Sequence, residues 1–243
     1  MKIIAMIPAR LEASRFPKKL LKDLCGKSVI ARTFLAAQST ALFDEVYVVT
    51  DSVEIYDELK TYTDNIIMSK KDHQCGSDRI AEAVEFIDAD IVVNVQGDEP
   101  FINKAALAKL LAVFDDDIDE NIDLASLKTP LKTSVDIENP NNVKVVTDAQ
   151  NRALYFSRSA IPFRRNSDVE TLYFKHVGIY AFRKEALLHF YHSEMTPLET
   201  VEKIECIRHL EHGRTIKMVE TAEVSIGIDT PEDLEKARQL FTS

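Results

Sequence analysis

The apolar run Ile3–Ile7 has no polar side along its length. A strand of this kind is typical of a sheet that is buried on both faces, as in α/β proteins. Short, largely apolar runs follow at Val46–Val49, Ile66–Met68 and Asp90–Val95, and helical patterns separate them. We therefore predict a mostly parallel central sheet flanked by helices. Pro8 should end the first strand, because proline has no N–H to donate to a neighbouring strand.

Start signals for helices lie between and after these runs. We predict helices over Ser28–Ser39, over Val53–Tyr62, from a Ser77-Asp78 cap to Phe86, and from an Asn103 cap to Phe114. A last helix should begin at Pro231, with Thr230 as its N-cap and Asp233 at its third position.

The pattern changes after Asp115. Short β-like runs and then helical patterns occur at Leu124–Lys128, Val143–Thr147, Ala153–Ser157, Val177–Phe182, Lys184–Tyr191 and Leu198–Glu211. A further strand is expected at Lys217–Val219. Because no repeat and no linker rich in proline and glycine separates this part, we predict one α/β domain over residues 1–243 with a smaller β-containing insertion.

The composition is that of a globular protein and limits its possible partners. Of the 243 residues, 45% are hydrophobic and 29% are charged, and no apolar stretch approaches the length of a transmembrane helix, so we expect no membrane insertion. The net charge of −10 argues against a broad nucleic-acid-binding face. Three separated cysteines without a CxxC pair are typical of the reducing cytoplasm and indicate neither a structural disulfide nor a zinc site.

The loop after the first strand is basic within this acidic protein. It carries Arg10, Arg15, Lys18 and Lys19 within ten residues. Residues 1–32 have a net charge of +6, so the remainder carries −16. Open α/β sheets bind their ligands at the carboxyl ends of strands, and we interpret this loop as a clamp for a polyphosphate. The alternative is a set of solvated surface charges.

The six glycines exclude the two commonest nucleotide-binding loops. Neither GxGxxG nor GxxxxGK can be written from them, which excludes the dinucleotide fingerprint and the Walker loop. A nucleotide bound by this chain must be held by another architecture.

Two carboxylates are candidates for metal binding. Asp98 follows a predicted strand and Gly97, where one carboxylate together with substrate phosphates could hold Mg²⁺. The alternative is a turn in which Gly97 and Asp98 supply only backbone geometry. Asp229 immediately precedes the predicted N-cap Thr230, and capping alone can explain an acidic residue there.

Other polar groups allow two interpretations each. The segment Asp72–Arg79 suits a flat, hydrogen-bonding ligand such as a base, or is simply a capped helix start. His176, Gly178 and Tyr180 fall on one face of a predicted strand, and an isolated histidine is more often structural than catalytic. Arg158 could bind a carboxylate through its planar guanidinium or be an ordinary surface residue.

Nine short motifs occur together in one order. They are IPARLEASRFPKK, VVTD, DHQCGSDRIAE, VNVQGDEP, NPNNVKVV, ALYFSRSAIP, KHVGIYAFR, TPLETVEKIECIRHLE and GIDTPEDLE. Over almost the whole chain this series closely resembles the 3-deoxy-manno-octulosonate cytidylyltransferase family. The resemblance implies a glycosyltransferase-A-like nucleotide-diphospho-sugar transferase fold, a homodimer and Mg²⁺. It also implies a nucleotide-binding part at about 1–115 plus 215–243, and a sugar-binding and dimerisation part at about 120–212.

The resemblance further implies roles for individual residues. The nucleotide would be bound by Pro8, Ala9, Arg10, Ser14, Arg15, Lys19, His73, Cys75, Gly76, Ser77 and Arg79, with the CTP phosphates on Arg10, Arg15 and Lys19. The sugar acid would be bound by Gln96, Arg158, His176, Tyr180 and Glu205. Asp98 and Asp229 would hold Mg²⁺, and catalysis would depend on these two residues together with Arg15 and Lys19.

Three motifs depart from the usual form of that family, and the mildest change is in Ser-Gly-Thr, which is here Cys75–Ser77. Its Pro-Gly-Lys-Pro is here Pro17–Leu20, which gains the charge of Lys18 and loses a glycine. Its Glu-Gln-Leu-Arg is here Glu205–Arg208, where Cys206 replaces a glutamine that could hydrogen-bond sugar hydroxyls. We expect transfer of CMP from CTP to 3-deoxy-D-manno-octulosonate (Kdo) for lipopolysaccharide synthesis. The alternatives are the same reaction on 8-amino-3,8-dideoxy-octulosonate or another acidic sugar, and a non-catalytic nucleotide-binding module.

Overall fold

The computed structural model describes residues 1–12, 16–71, 73, 75–222 and 227–242. The chain forms two compact units. The first unit comprises residues 1–104 and 225–243, and the second comprises residues 105–224.

Strands and helices alternate along the chain. The strands are β1 (Ile3–Ala9), β2 (Glu45–Thr50), β3 (Ile66–Met68), β4 (Ile91–Asn94), β5 (Leu124–Leu131), β6 (Lys144–Thr147), β7 (Ala153–Ser157), β8 (Tyr173–Arg183) and β9 (Ile216–Glu220). The helices are α1 (Val29–Ser39), α2 (Val53–Leu59), α3 (Gly76–Val84), α4 (Lys104–Asp115), α5 (Ser134–Glu138), α6 (Lys184–His192), α7 (Pro197–Glu202), α8 (Cys206–Glu211) and α9 (Pro231–Thr242), with a short 3₁₀ helix at Lys19–Leu21. None of the helices seen in the described residues combines the length and the apolar character needed to cross a membrane.

β1 is an inner strand of the sheet in the first unit. It pairs with β2 on one side and with β4 on the other, and β3 extends the sheet beyond β2. All three pairings are parallel, and Ile4, Met6 and Ile7 are completely buried, as expected for a run without a polar side. The predicted α/β class, with a mostly parallel sheet flanked by helices, is confirmed.

β1 continues through Pro8 to Ala9, so the prediction that Pro8 ends this strand is wrong. Pro8 pairs in register with Val49 of β2. The pairing of β1 with β4 ends at Met6 and Asn94. Pro8 therefore lies beyond the ladder on that side, where a residue without an N–H is tolerated. This places Pro8 and Ala9 at the carboxyl edge of the sheet.

The helix caps were predicted only in part. Ser28 and Ser52 cap α1 and α2 through their hydroxyl groups. The predicted Ser77-Asp78 cap is wrong, because Cys75 occupies the N-cap position of α3. Ser77 is buried in the first turn of the helix instead.

α9 begins with the predicted reciprocal cap. The hydroxyl of Thr230 accepts a hydrogen bond from the backbone N–H of Asp233 at 3.2 Å, and the carboxylate of Asp233 accepts from the N–H of Thr230 at 3.0 Å. This arrangement satisfies two N–H groups that would otherwise lack partners at the helix start. It also holds the residue before the cap, Asp229, at the beginning of the helix.

The second unit contains a mixed sheet. β5 lies between β8, which is antiparallel to it, and β9, which is parallel to it. β6 and β7 form an antiparallel pair, and Lys144 of β6 pairs with Lys175 of β8. β8 is 11 residues long and extends well beyond the predicted strand Val177–Phe182.

The predicted single helix Leu198–Glu211 is wrong. The segment forms two helices, α7 and α8, and the chain breaks between them at Lys203, whose φ is +55°. A residue in the left-handed region commonly ends a helix. The guanidinium group of Arg158 donates to the carbonyls of Glu202 and Lys203 at this break. Such a long-range contact leaves no trace in helical periodicity.

Candidate active site

Two cavities share part of their lining at the carboxyl edge of the sheet in the first unit. The phosphate-loop cavity has a volume of about 160 Å³, and its lining includes Lys19, Gly97, Asp98 and Asp229. The α3 cavity has a volume of about 300 Å³, and its lining includes Ala9, His73, Cys75, Gly76 and Arg79. Pro8, Arg10 and Gln96 line both. Residues predicted to bind the nucleotide and the metal are thus brought together from distant parts of the sequence.

Lys19 is the centre of the phosphate-loop cavity. Its ammonium group donates to Oδ2 of Asp98 in a short contact and to Oδ1 of Asp229 at 2.9 Å. Burial lowers the pKa of Lys19, but the charges and hydrogen bonds of Asp98 and Asp229 outweigh it and raise the pKa above 10.5. Lys19 is therefore a cation at neutral pH, held by both carboxylates.

The backbone brings the two carboxylates together. Asp98 follows β4, and Asp229 precedes α9. The N–H of Ile228 donates to the carbonyl of Asp98 at 2.9 Å, which ties the segment before α9 to the turn after β4. The interpretation of Asp229 as a capping residue alone does not account for its contact with Lys19.

The carboxylate pair fits a divalent cation that also has phosphate ligands. Lys19 demonstrates that Asp98 and Asp229 can contact one cationic atom at the same time. Within the described ranges, no group of three or more histidine, cysteine and acidic side chains could hold a metal ion. Mg²⁺ commonly uses one or two carboxylates together with substrate phosphates, so two carboxylates beside a phosphate-sized cavity suit it.

Gly97 allows the turn after β4 to lie against the end of β1. A Cβ atom at Gly97 would be 3.0 Å from the carbonyl oxygen of Pro8 and 3.2 Å from Cδ1 of Ile30. The buried hydroxyl of Thr33 donates to the carbonyl of Gly97 at 3.0 Å. The sequence predicted a tight approach at Gly97, but the close partner is protein backbone, and the role of Thr33 was missed.

The remaining cations of the basic loop differ in their surroundings. Arg10 is exposed and makes no hydrogen bond or ion pair with any residue that the structure describes. Lys18 forms an exposed ion pair with Glu54, with Nζ 2.8 Å from Oε2. Ser14 and Arg15 lie outside the described residues. Arg10 is thus a cation available to an anionic ligand where the two cavities meet.

Two acidic residues that the sequence did not assign hold the α3 cavity in shape. His73 Nε2 lies 2.9 Å from Oε2 of Glu82, and the guanidinium of Arg79 donates to Asp51 at 2.7 Å. Burial raises the pKa of Glu82, but hydrogen bonds from His73 and its other neighbours outweigh burial and lower the pKa. Both residues stand in the quoted motifs, as the last residues of VVTD and DHQCGSDRIAE, and that position was their only signal.

Two small groups line or support the same cavity. A Cβ atom at Gly76 would approach Cγ of Pro8 to 3.1 Å, so the start of α3 packs closely on the end of β1. Ser77 does not line the cavity; its buried hydroxyl accepts from Nδ2 of Asn94 at 3.2 Å. Ser77 therefore connects α3 to β4 through a side-chain contact.

The residues predicted to bind the sugar acid are divided between the units. Gln96 lies in the first unit, and Arg158, His176, Tyr180 and Glu205 lie in the second. In the second unit the rings of His176 and Tyr180 are 5.4 Å apart between centroids. Tyr180 also shares a hydrogen bond with the thiol of Cys206, the neighbour of Glu205. These contacts connect two of the four predicted residues of the second unit, His176 and Tyr180.

A β-bulge brings His176 close to Tyr180. In β8, Tyr180 pairs with Ser126 while Val177 pairs with the next residue of β5, Leu127. Gly178 and Ile179 are thus extra residues. His176 and Tyr180 lie on one face of the strand, as predicted, because their partners in β5, Lys128 and Ser126, are two residues apart. The bulge between them was not predicted.

His176 is a buried, neutral group. Its Nε2 lies 2.9 Å from the hydroxyl of Ser126. Burial lowers the pKa of His176 from 6.5 to about 4. At neutral pH this side chain can therefore offer hydrogen bonds and an aromatic edge, but no positive charge.

The chain was compared with known proteins. Residues 4–217 match the protein family described as cytidylyltransferase. The 3-deoxy-manno-octulosonate cytidylyltransferase of Christiangramia forsetii is 66% identical over 241 residues, covering 99% of this chain and 97% of that protein. The protein of the same name from Flavobacterium johnsoniae is 59% identical, covering 99% of both chains.

Two solved structures are similar in fold. A structure of CMP:2-keto-3-deoxy-manno-octonic acid synthetase complexed with CTP has a TM-score of 0.93 and 36% identity, covering 100% of this chain and 99% of that one. A 4-diphosphocytidyl-2C-methyl-D-erythritol synthase from Anaerococcus prevotii has a TM-score of 0.66 at 19% identity, which is a likeness of fold alone.

Proposed function

Because this chain belongs to the cytidylyltransferase family, we propose that it transfers CMP from CTP to Kdo and releases pyrophosphate, a step in lipopolysaccharide synthesis. Two relatives named for this reaction are 66% and 59% identical to it over almost their whole length. The observation that carries the proposal is the phosphate-loop cavity, where one lysine contacts two carboxylates beside an exposed arginine. A cavity of this kind suits a nucleoside triphosphate.

In the proposed reaction, the anomeric hydroxyl of Kdo attacks the α-phosphorus of CTP in line. A bond forms between that oxygen and phosphorus, the bond to the β-phosphate bridging oxygen breaks, and the hydroxyl proton is released. Arg10, Arg15 and Lys19 neutralise the charge on the departing pyrophosphate. Positioning and charge neutralisation supply most of the catalysis in such reactions, and no covalent enzyme intermediate is required.

Asp98 and Asp229 are proposed to hold Mg²⁺, which when bound would neutralise phosphate charge and polarise the reacting phosphoryl group. Their support is the simultaneous contact of both carboxylates with the ammonium of Lys19. The cytosine and ribose are assigned to the α3 cavity, whose lining includes Ala9, His73, Cys75, Gly76 and Arg79, with Ser77 supporting it and Ser14 contributing from the basic loop.

The sugar acid is assigned to Gln96, Arg158, His176, Tyr180 and Glu205. Arg158 is the group suited to a carboxylate, because its guanidinium can donate two parallel hydrogen bonds. His176, neutral at physiological pH, suits the uncharged hydroxyls of the sugar. Cys206 is buried against Tyr180, whose ring lies beside that of His176.

We also infer that the enzyme works as a homodimer in the cytoplasm. Cys25, Cys75 and Cys206 form no disulfide with one another, which is compatible with a reducing compartment. Several large apolar side chains of the second unit are exposed, among them Phe163, Leu172 and Val201, and a second copy of the chain could cover them.

The proposed function is tested by measuring pyrophosphate release from CTP, Mg²⁺ and Kdo. We expect turnover with the wild-type chain. Asp98→Asn should abolish turnover and leave CTP binding measurable by calorimetry, because the carboxylate acts on the metal and not on the base. Lack of turnover in the wild-type protein despite CTP binding would overturn the function. Near-normal turnover in Asp98→Asn would overturn the metal role.

A further inference from the structure

We propose that Lys144 is a positioning residue that holds Arg158 in place for the carboxylate of the sugar. The inference rests on the proposed function, in which Arg158 binds that carboxylate. Lys144 belongs to the motif NPNNVKVV, none of whose residues has a role in the reaction described above.

Lys144 is completely buried at the start of β6. Its ammonium group donates to the carbonyl oxygen of Asn139 at 3.0 Å and, in a short contact, to the carbonyl oxygen of Arg158. Burial lowers the pKa of Lys144, and the charges of Glu138 and Glu202 oppose that effect without cancelling it. Lys144 thus connects the backbone of Arg158 to the turn before β6.

The backbone of Arg158 is held from both sides. Its carbonyl accepts from Lys144, and its N–H donates to Oε2 of Glu202 at 2.9 Å. The other oxygen of the Glu202 carboxylate accepts from the hydroxyl of Ser157 at 2.6 Å. Ser157 is also the register partner of Lys144 between β7 and β6.

The guanidinium of Arg158 is held by backbone carbonyls. It donates to the carbonyls of Glu202 at 2.7 Å, Pro140 at 3.1 Å and Lys203 at 3.3 Å. Three of its five N–H donors are used in this way, and two are left for a ligand. The three hydrogen bonds fix the plane of the guanidinium. Because Arg158 is only half-buried, its guanidinium can still bind a carboxylate.

The motif NPNNVKVV therefore supplies two of the contacts around Arg158. The carbonyl of Pro140 binds the guanidinium, and Lys144 binds both the Arg158 carbonyl and the neighbouring carbonyl of Asn139. A displacement of the Asn139–Pro140 turn would move an acceptor of the guanidinium. Loss of Lys144 should disturb the direction of Arg158 even though Lys144 has no direct contact with substrate.

Stability alone gives little reason for this lysine. The buried ammonium group of Lys144 donates to neutral carbonyl groups, and removing its charge from water costs free energy. Apolar replacements of buried charged groups often leave the stability of the fold unchanged or raise it. The second unit offers a matched comparison in Lys128, which is also buried and also has a pKa lowered by burial. Its ammonium group donates to Thr147 and Asn151 and not to Arg158.

The test compares Lys144→Met with Lys128→Met by steady-state kinetics. For Lys144→Met we expect the KM for Kdo to rise about tenfold while kcat changes by less than about threefold, because binding of the carboxylate is weakened and the phosphoryl chemistry is not. The dissociation constant of CTP, measured by calorimetry, should not change. Lys128→Met should keep the wild-type KM for Kdo.

A purely structural role would give another result. An unchanged KM for Kdo in Lys144→Met, or equal increases in both variants, would overturn the positioning role while wild-type turnover upholds the proposed function. Absence of turnover in the wild-type protein would instead overturn the function itself.

A second variant covers the case in which Lys144→Met does not fold. Glu202→Met removes the acceptor of the Arg158 N–H and leaves Lys144 intact. It should show the same rise in the KM for Kdo with little change in kcat or in CTP binding. A wild-type KM in Glu202→Met would contradict the proposal.

Discussion

Lys19 would compete with a metal ion for the two carboxylates that are proposed to hold it. The ammonium of Lys19 contacts both Asp98 and Asp229, so a divalent cation bound by this pair would meet a positive charge at close range. Like charges at such short distances repel strongly in a partly buried site. We therefore expect metal binding to displace Lys19 from the carboxylates toward the phosphates of CTP, whose negative charge it can neutralise.

This competition predicts that Lys19→Met binds metal more tightly. In a titration without nucleotide, we expect its affinity for Mg²⁺ or Mn²⁺ to rise about tenfold, since a competing cation is removed. Its affinity for CTP should fall. Lys18→Met is the matched control, because Lys18 pairs with Glu54 and not with Asp98. Weaker metal binding in Lys19→Met would contradict the competition.

Two buried histidines make the stability of the fold sensitive to acid. Burial lowers the pKa of His209 to about 3 and that of His176 to about 4, from 6.5. Between these values and 6.5, the unfolded chain binds protons that the folded chain does not. The free energy of unfolding is therefore highest above about pH 6.5 and falls as the pH drops toward 4.

His209 offers a direct test of this pH dependence, because it stacks on Phe190 and its Nε2 has no hydrogen-bond partner among the described residues. Urea unfolding at pH 7.5 and 5 should show that His209→Phe loses about 2 kcal/mol less stability than the wild type between the two pH values. His192→Phe, at an exposed histidine, is the control and should lose as much as the wild type. An unchanged loss in His209→Phe would rule out this source of acid sensitivity.

At the scale of the element, the turn after β4 determines where Asp98 lies. Gly97 leaves no room for a side chain, because its Cβ would meet the carbonyl of Pro8 at 3.0 Å. Backbone cannot move aside as the end of a flexible side chain can. Any side chain at this position must push the turn, and Asp98 with it, away from β1.

Gly97→Ala should therefore affect both stability and metal binding. We expect a loss of about 1–3 kcal/mol in the free energy of unfolding, as is usual for overpacked sites, and weaker Mg²⁺ binding in calorimetry. Gly227→Ala is the control, because the nearest atom of the described residues that its Cβ would meet is Cγ of Glu99, at 3.8 Å. Equal behaviour of the two alanine variants would show that the close approach at Gly97 does not matter.

Several errors in the predicted helices and strands have one physical origin. Local pattern located the short strands and the reciprocal cap of α9, because these depend on neighbouring residues. It failed at Lys203, where contacts from Arg158 accompany the end of a helix, and at Gly178, where a bulge interrupts alternation. Both depend on residues far away in sequence.

Lys18 illustrates a departure that the fold accommodates. It replaces a glycine of the resembled motif and adopts φ +53°, the left-handed region that glycine favours. Its ammonium group pairs with Glu54 of α2. The sequence alone could show the substitution, but only the structure shows that a glycine-like backbone is kept and that the added charge is directed toward Glu54.

At the scale of the whole molecule, the sequence predicted the class of fold and most of the strands. The order of β3, β2, β1 and β4 follows from contacts that no local pattern records. Motif resemblance selected residues that line the two cavities of the first unit. It assigned no role to Glu82, Asp51, Thr33 or Lys144. These side chains contact other protein groups, so no motif for a ligand or a reaction identifies them.

The last prediction concerns association of two chains. Seven of the sixteen large apolar side chains that are exposed in the described part of the chain lie between Leu154 and Val201. Exposed apolar side chains concentrated in one segment are typical of an interface. We therefore expect the second unit to supply the dimer contact.

Two phenylalanines with similar exposure provide a matched test. Phe163 in the second unit is 86% exposed, and Phe86 in the first unit is 89% exposed. Phe163→Glu should shift the mass measured by sedimentation equilibrium at micromolar concentration from dimer to monomer, because a carboxylate buried in an interface must lose its hydration. Phe86→Glu should remain dimeric. A monomeric wild type would exclude the homodimer, and dissociation of Phe86→Glu alone would place the contact on the first unit.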